Sequence, residues 1–392
     1  MNKRWNRCLN PVLAAAIFVV AVAWLRASSD PAAPPMSSST PIERPSANAG
    51  TTHGSRLQSL ALNTSPPGPA ALTGPANPPP ARPNPSPKPA PPAGTTPPLP
   101  LPRNPILPGA DPHALLHNRT FWIYPTRGDG RPDRFFAFSS TNLTHWVQHG
   151  PVLSLDEVAW IPEDGAPRHY AWAPSVLHHR GRWYFYYSVG PQNPTPSRIG
   201  VAVGDNPAGP FHDSGRPLLT GSADFEAIDP MVFADPASGK LYLYAGGSAG
   251  AKLRVFELAD DPTHIAREIP VETPPFFTEG AFMHHHNGRY YLSYSHGNYR
   301  DASYSVHYAT APTPTGPWTY HGPILTSDAT RKGPGHHSFL RLPDSERWLI
   351  FYHRWEGQTG NGPFHGQRWI CIEPVEYNPD GTIQPIRMSG GL

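Results

Sequence analysis

Three carboxylates stand where they could do chemistry: Asp111 in NPILPGADP, Asp229 in AIDPMVF and Glu279 in TEGAF. Each lies at or beside the start of a stretch in which Tyr, Phe and Trp alternate with aliphatic residues, the pattern of a half-buried strand. The first two are 118 residues apart and the next two 50. One such acid is an ordinary turn residue, since Asp bonds the local backbone and the following Pro fixes φ. Three brought to one point suit hydrolysis of a glycosidic bond. That reaction needs an acid to protonate the leaving oxygen and a base to activate water on the opposite face of the sugar.

Bringing them together requires a repeating scaffold, and the sequence repeats. GRWYFYYS from Gly181, GKLYLYAGG from Gly239, GRYYLSYS from Gly288 and SERWLIFYHRW from Ser345 each join a turn to an aromatic strand. Their spacing of roughly 50–60 residues is that of a propeller blade with its loops. A second phrase recurs with them, as NLTHWVQHGPVL, NPAGPFHDSGRPLL and TPTGPWTYHGPIL, and reads as the outer hairpin of each blade. The expected fold is all-β, a five-bladed β-propeller over residues 104–392. A β-sandwich or jelly roll would not produce this self-similarity. In a propeller the innermost strands face one channel, so acids at equivalent positions of different blades converge. Asp224, Glu226 and Asp235 are rivals to Asp229. Asp235 reads as an outer turn residue, and only Asp229 stands in a DP phrase like that of Asp111.

The rest of the composition narrows the class. A net charge of +2 with 15% charged residues leaves no basic footprint for nucleic acid. Aromatics at 11% suit both a β core and stacking on sugar faces. The two cysteines, Cys8 and Cys371, exclude a disulfide framework and a thiolate metal site, and Cys371 reads as a small buried hydrophobe. Residues 1–29 carry Lys3, Arg4 and Arg7 ahead of an apolar run from Val12 to Leu25, which is either a signal peptide cut near Ala23 or a retained signal anchor. Attachment to a membrane is expected through this segment alone. Residues 30–103 are rich in Pro, Ala and Ser, a composition expected to stay disordered as an extended linker.

Six motifs in order, NPILPGADP, YAWAPSV, AIDPMVFAD, TEGAF, GPGHHS and CIEPVEYNPDGTIQPI, make residues 104–387 resemble glycoside hydrolase family 43. The resemblance implies a five-bladed propeller that inverts anomeric configuration. It implies Asp111 as general base, Glu279 as general acid, and Asp229 as the carboxylate that positions the acid and raises its pKa. It also implies that Trp172 lines the sugar pocket and that Arg368 reaches a sugar hydroxyl or a catalytic carboxylate. His336 matches a channel histidine that touches substrate and the shell of a bound cation, commonly calcium, structural rather than catalytic. No cofactor is implied for the chemistry. The partner is a carbohydrate containing arabinose or xylose, from which an α-L-arabinofuranosidase or β-xylosidase releases single pentoses. An endo-acting arabinanase, a non-catalytic carbohydrate-binding propeller and an interaction propeller with the Pro-rich arm as adaptor are the alternatives. The run His284-His285-His286 leads into the Asn287-Gly288 turn and is expected to be solvated.

Overall fold

The computed structural model describes residues 100–391 apart from 128–131, 193–194, 249 and 344, so the signal segment and the linker as far as residue 99 lie outside the described residues. The chain enters as β1 (Leu107–Pro108) and then lays down four-stranded antiparallel blades, each running outward from the central axis. Blade I is β2 (Ala110–His117), β3 (Thr120–Thr126), β4 (Arg134–Ser140) and β5 (Val147–Ser154). Blade II is β6 (Tyr170–His179), β7 (Arg182–Gly190) and β8 (Arg198–Gly204), edged by the short β9 (His212–Asp213) and β10 (Leu219–Thr220). Blade III is β11 (Met231–Ala234), β12 (Leu241–Ala245), β13 (Arg254–Leu258) and β14 (Ile265–Ile269). Blade IV is β15 (Glu279–His286), β16 (Arg289–His296), β17 (Ser305–Ala311) and β18 (Thr319–Leu325). Blade V holds β19 (Lys332–Arg341), β20 (Trp348–Trp355) and β21 (Arg368–Val375), and β1 completes it. The five-bladed propeller read from the repeats is thus the observed fold. The aromatic phrases are the second strands β7, β12, β16 and β20, and the Gly-Pro phrases supply the outer strands.

The aromatic residues pack between blades rather than within them. Tyr124, Phe135, Phe185 and Tyr187 fill the seam between blades I and II, with Phe185 meeting Phe135 at 5.1 Å and Tyr124 at 5.9 Å between ring centroids. Burying such a ring contributes roughly 1.5–3 kcal/mol, which favours flat blades stacked face to face. The phenol oxygens are satisfied across the same seams. Tyr124, Tyr186 and Tyr244 donate to the carbonyls of Pro207, Pro262 and Pro314, each in the next blade. Cys371 is buried and free, as its strand context suggests.

Two expectations change. His284 is not solvated: it is buried, bonds Tyr377 Oη at 2.8 Å through Nε2 and stacks on Tyr291 and Phe339, while His285 and His286 are half-buried. The turn ahead of it does not decide its environment, because the strand face carrying His284 is covered by the C-terminal segment around Tyr377. Asp235 does stand at a turn, accepting from Ser238 N at 3.1 Å, but it is buried and also accepts Tyr290 Oη of blade IV at 2.7 Å.

The ring closes between blades V and I across an apolar seam that includes Phe121, Ile123, Leu349 and Phe351, and through a short clasp at the chain's entry. Leu107 and Pro108 pair with Ile370 and Trp369, and the buried Asn104 grips the same strand. Its Nδ2 donates to Ile372 O at 2.8 Å and Glu373 Oε1 at 2.9 Å, and its Oδ1 accepts from Ile372 N at 2.9 Å. Replacing Asn104 by Ala leaves buried backbone groups of Ile372 without partners. Asn104→Ala is expected to lose roughly 2–3 kcal/mol of stability, read as a melting temperature lowered by several degrees.

Candidate active site

Near the head of every inner strand stands a residue in the left-handed region at an equivalent place, and β19 carries a further one in Gly333 (54°). The equivalent residues are Asp111 (φ 50°), Ala173 (43°), Asp229 (56°), Gly280 (64°) and His336 (39°), one per blade. Pairing with the second strand breaks register at this point in blades I, II, IV and V, as a bulge does, which re-aims the side chains at the strand's head into the channel. A non-glycine residue in this conformation costs about 1–2 kcal/mol, so something must hold it.

The holder is the preceding blade. The amide of Ala173 donates to Thr126 Oγ1 at 2.7 Å, that of Asp229 to Ser188 Oγ at 2.9 Å, and that of His336 to Ser295 Oγ at 2.8 Å. The amide of Asp111 meets His353 Nδ1 at 3.1 Å. These four acceptors occupy one register position, opposite Ala110, Trp172, Glu279 and Gly335 on the second strands of blades I, II, IV and V. Blade III has Gly246 there, bonded to Ile228 O and carrying no side chain. The fifth amide, Gly280 N, donates instead to Asp229 Oδ2 at 3.0 Å.

The three acids therefore do not share one position. Asp111 and Asp229 both sit at the kink, whereas Glu279 stands one residue earlier, where blade II has Trp172. All three line one pocket with Trp172, His336 and Arg368, together with Gln192, Ile228, Ser248 and Tyr299. Every site residue expected from the sequence is brought to this channel mouth. The pocket's volume is about 150 Å³, a size that in an engineered cavity of about 150 Å³ holds a single six-membered ring. A larger cleft of about 640 Å³, beside Asp133, Asp156 and His169, contains none of the three acids.

The environments split the acids. Burial tends to raise the Asp111 carboxyl, but Arg368, His336 and His353 hold it well below the usual carboxylate range. Arg368 Nη1 donates to Asp111 Oδ1 at 3.2 Å, His353 Nδ1 lies 3.2 Å from the same oxygen, and His336 Nδ1 lies 3.4 Å from it. Burial also pushes Glu279 up to about 7, aided by the charge of Asp111 and opposed by Tyr304 and Arg368. Tyr304 Oη donates to Glu279 Oε1 at 2.7 Å. Asp229 rises well above the ordinary carboxylate range through burial and the charges of Glu279, Asp111 and Glu226. The carboxylate that orients Glu279 through its neighbouring amide thus itself resists ionisation, chiefly because it is buried.

Glycine makes room at two places. A Cβ on Gly190 would come within 2.2 Å of the Trp172 ring, and one on Gly335 within 2.1 Å of the Tyr304 ring. Both functional rings lean on backbone that only glycine leaves open. His353 and Tyr304 escaped the sequence reading because each sits in strand text that reads as core, FYHRW and SYSVHY. Glu226 is buried and accepts from Ser248 Oγ at 3.2 Å, so it backs the pocket wall without displacing Asp229 from its place.

The channel does not by itself fit calcium. That ion takes about six to eight oxygens, whereas His336 offers nitrogen and the nearest carboxylate oxygens already accept from Arg368 and Gly280. Among the described residues no group of three or more His, Cys, Asp or Glu side chains is gathered as a metal site.

Comparison with known proteins agrees with this geometry. The model of glycosyl hydrolases family 43 matches residues 102–383. The chain is 35% identical to the β-D-galactofuranosidase xynD of Aspergillus niger, over 73% of this chain and 85% of that one. It is 30% identical to xylosidase/arabinosidase 43A of Humicola insolens, over 70% and 95%. The solved structure of CoXyl43, a family 43 β-xylosidase/α-arabinofuranosidase from a compost metagenome, in a calcium-free complex with xylotriose, superposes with a TM-score of 0.59 at 28% identity, covering 72% of this chain and 97% of that one. A matching family model across the whole propeller, carried by the strands that hold the three acids, means that the chain belongs to the glycosyl hydrolases of family 43.

Proposed function

We propose that the chain is an inverting exo-glycosidase that releases single pentoses, α-L-arabinofuranose or β-D-xylose, from plant cell-wall glycans. One observation carries the reading. Within a pocket sized for one ring, one carboxylate is held ionised and another is held protonated near neutrality. In this reading Asp111 takes the proton of the attacking water as it bonds to the anomeric carbon. Glu279 gives its proton to the departing glycosidic oxygen, and the two acids exchange protonation states in one displacement. Arg368 stabilises Asp111 as the anion, and His353, accepting the Asp111 amide through Nδ1, sets its aim. Asp229 fixes the head of β15 through the Gly280 amide, while burial and the charge of Asp111 disfavour ionisation of Glu279. Trp172, stacked on Tyr170 at 5.6 Å, presents a flat wall for a sugar face, and His336 closes the floor. The names of the relatives support pentosides, and the galactofuranosidase among them adds a second furanoside to be tried.

The proposal extends to the N-terminal segments. Residues 1–29 export the chain and residues 30–103 space the propeller from the membrane or wall. The composition of those segments supports this reading.

The roles separate by leaving group. Nitrophenolate departs without protonation, whereas a sugar alkoxide does not. Glu279→Gln is therefore expected to slow an arabino- or xylo-oligosaccharide by about 10²–10⁴ and nitrophenyl pentosides far less. Asp111→Asn is expected to slow both alike. Equal losses on both substrates in Glu279→Gln would remove the acid role, and no turnover of any pentoside or galactofuranoside by the folded parent would sink the glycosidase reading.

The pH profile follows from the same groups. Activity requires Asp111 ionised and Glu279 protonated, so kcat/KM should hold into the acid range and fall as pH rises through about 7. The Tyr304 hydroxyl favours the ionised form of Glu279, so removing it raises that pKa. Tyr304→Phe should therefore move the alkaline limb to higher pH while leaving the acid limb in place; an unmoved or lowered alkaline limb contradicts the assignment.

A further inference from the structure

Beside the catalytic pocket, and sharing Tyr299 and Arg368 with it, lies a second cavity of about 280 Å³. Its walls come from Arg127 just after β3, from Tyr299 and Arg300 after β16, and from Trp355 and His365 in the segment between β20 and β21. Among the described residues it is lined by three guanidinium groups and no carboxylate.

The three cations are not equivalent. Arg368 bonds Asp111 and lies over the Tyr299 ring at 5.1 Å, so its charge is committed to the neighbouring pocket. Arg127 lies over the Phe136 ring at 3.9 Å. Arg300 forms no ion pair with any described residue. Its Nη2 donates to His365 Nδ1 at 2.8 Å, which fixes that ring as an acceptor on Nδ1 and leaves its Nε2–H as a donor. Its Nε reaches only the Phe364 carbonyl, at 3.5 Å.

Arg300 is thus a guanidinium without an acidic partner among the described residues beside a concave space, whose low-dielectric walls focus its field on an incoming anion. A planar, forked guanidinium matches a carboxylate best. The exposed Tyr299 ring adds a face against which a sugar can lie. Tyr299 and Arg368, common to both cavities, offer a glycan whose terminal sugar fills the catalytic pocket a path outward into the second cavity.

We propose that this cavity receives the carboxylate of a uronic acid on the part of the substrate that stays outside the catalytic pocket, with Arg300 as its principal partner. The site makes the enzyme select acidic glycans. This rests on the glycosidase reading for the identity of the neighbouring sugar, and the test separates the two.

The full chain carrying Glu279→Gln is titrated calorimetrically with a synthetic arabinofuranosyl-glucuronic acid disaccharide and with its carboxyl-reduced twin. The acid is expected to bind roughly tenfold more tightly, the charge-assisted pairing of one guanidinium fork. That difference should shrink in high salt and vanish when Arg300→Gln is added. Arg300→Gln in the otherwise native chain should keep its turnover of nitrophenyl arabinofuranoside, which shows that the pocket and fold survive the change. Equal affinity for the two disaccharides, binding of neither, or an acid preference that persists in Arg300→Gln overturns the inference. Should nitrophenyl pentosides go uncleaved while the acid preference tracks Arg300, the anion site stands and the glycosidase reading fails alone.

Discussion

The structure depends on one backbone device: a left-handed residue at the head of each inner strand, held by a hydrogen bond from its amide to the preceding blade. The conformation is unfavourable for Asp111, Ala173, Asp229 and His336, and no local contact within a blade stabilises it. Its partner always comes from across a seam, so each blade's contribution to the channel is set by its neighbour. The aromatic seams and the Tyr-to-Pro-carbonyl bonds fix how far apart neighbouring blades stand. Precision at the channel is therefore a property of the closed ring rather than of any single sheet.

Within that repeat, chemistry enters where the pattern is broken. In blade V the usual hydroxyl is replaced by His353, whose ring lies against both the amide and the carboxylate of Asp111. In blade III it is replaced by Gly246, and the vacant role passes to the carboxylate of Asp229, which reaches the amide beside Glu279. Two departures from a structural hydrogen-bond ring thus produce two opposite electrostatic settings. One carboxylate is surrounded by Arg368, His336 and His353, and the other is crowded by acids and capped by Tyr304. Placement in a repeat with two altered members is what sets the two environments apart.

Much of this was legible in the sequence. The strand phrases at blade spacing set the blade number, and the DP phrases marked Asp111 and Asp229 because the kink places an Asp before a Pro. Glu279 was found by its motif, yet its offset by one residue was not, since the bulge that moves it depends on pairing with Ser295. Tyr304 and His353 were hidden because their partners lie 25 and 242 residues away in the chain. The burial of His284 was missed for the same reason: the cover over its face arrives from Tyr377. Pattern within a strand reports which side faces inward, whereas the identity of what covers that side is a tertiary fact.

Ring closure and the placing of Asp111 are one event. Asn104 and β1 pin the start of the propeller onto β21, and β2 follows β1 with only Gly109 between them. The first residue of β21 is Arg368, the guanidinium that bonds Asp111, while the second strand of the same blade supplies His353. A propeller that had not closed would leave Asp111 at a free edge, without the guanidinium that keeps it ionised and the ring that holds its amide. The alkaline-side acid, Glu279, asks less of closure, because Asp229 and Tyr304 reach it from blades III and IV, which are continuous in the chain. Loosening the clasp should therefore injure the base before the acid. This ties the contact between residues 104 and 372, far apart in the chain, to the step that activates water.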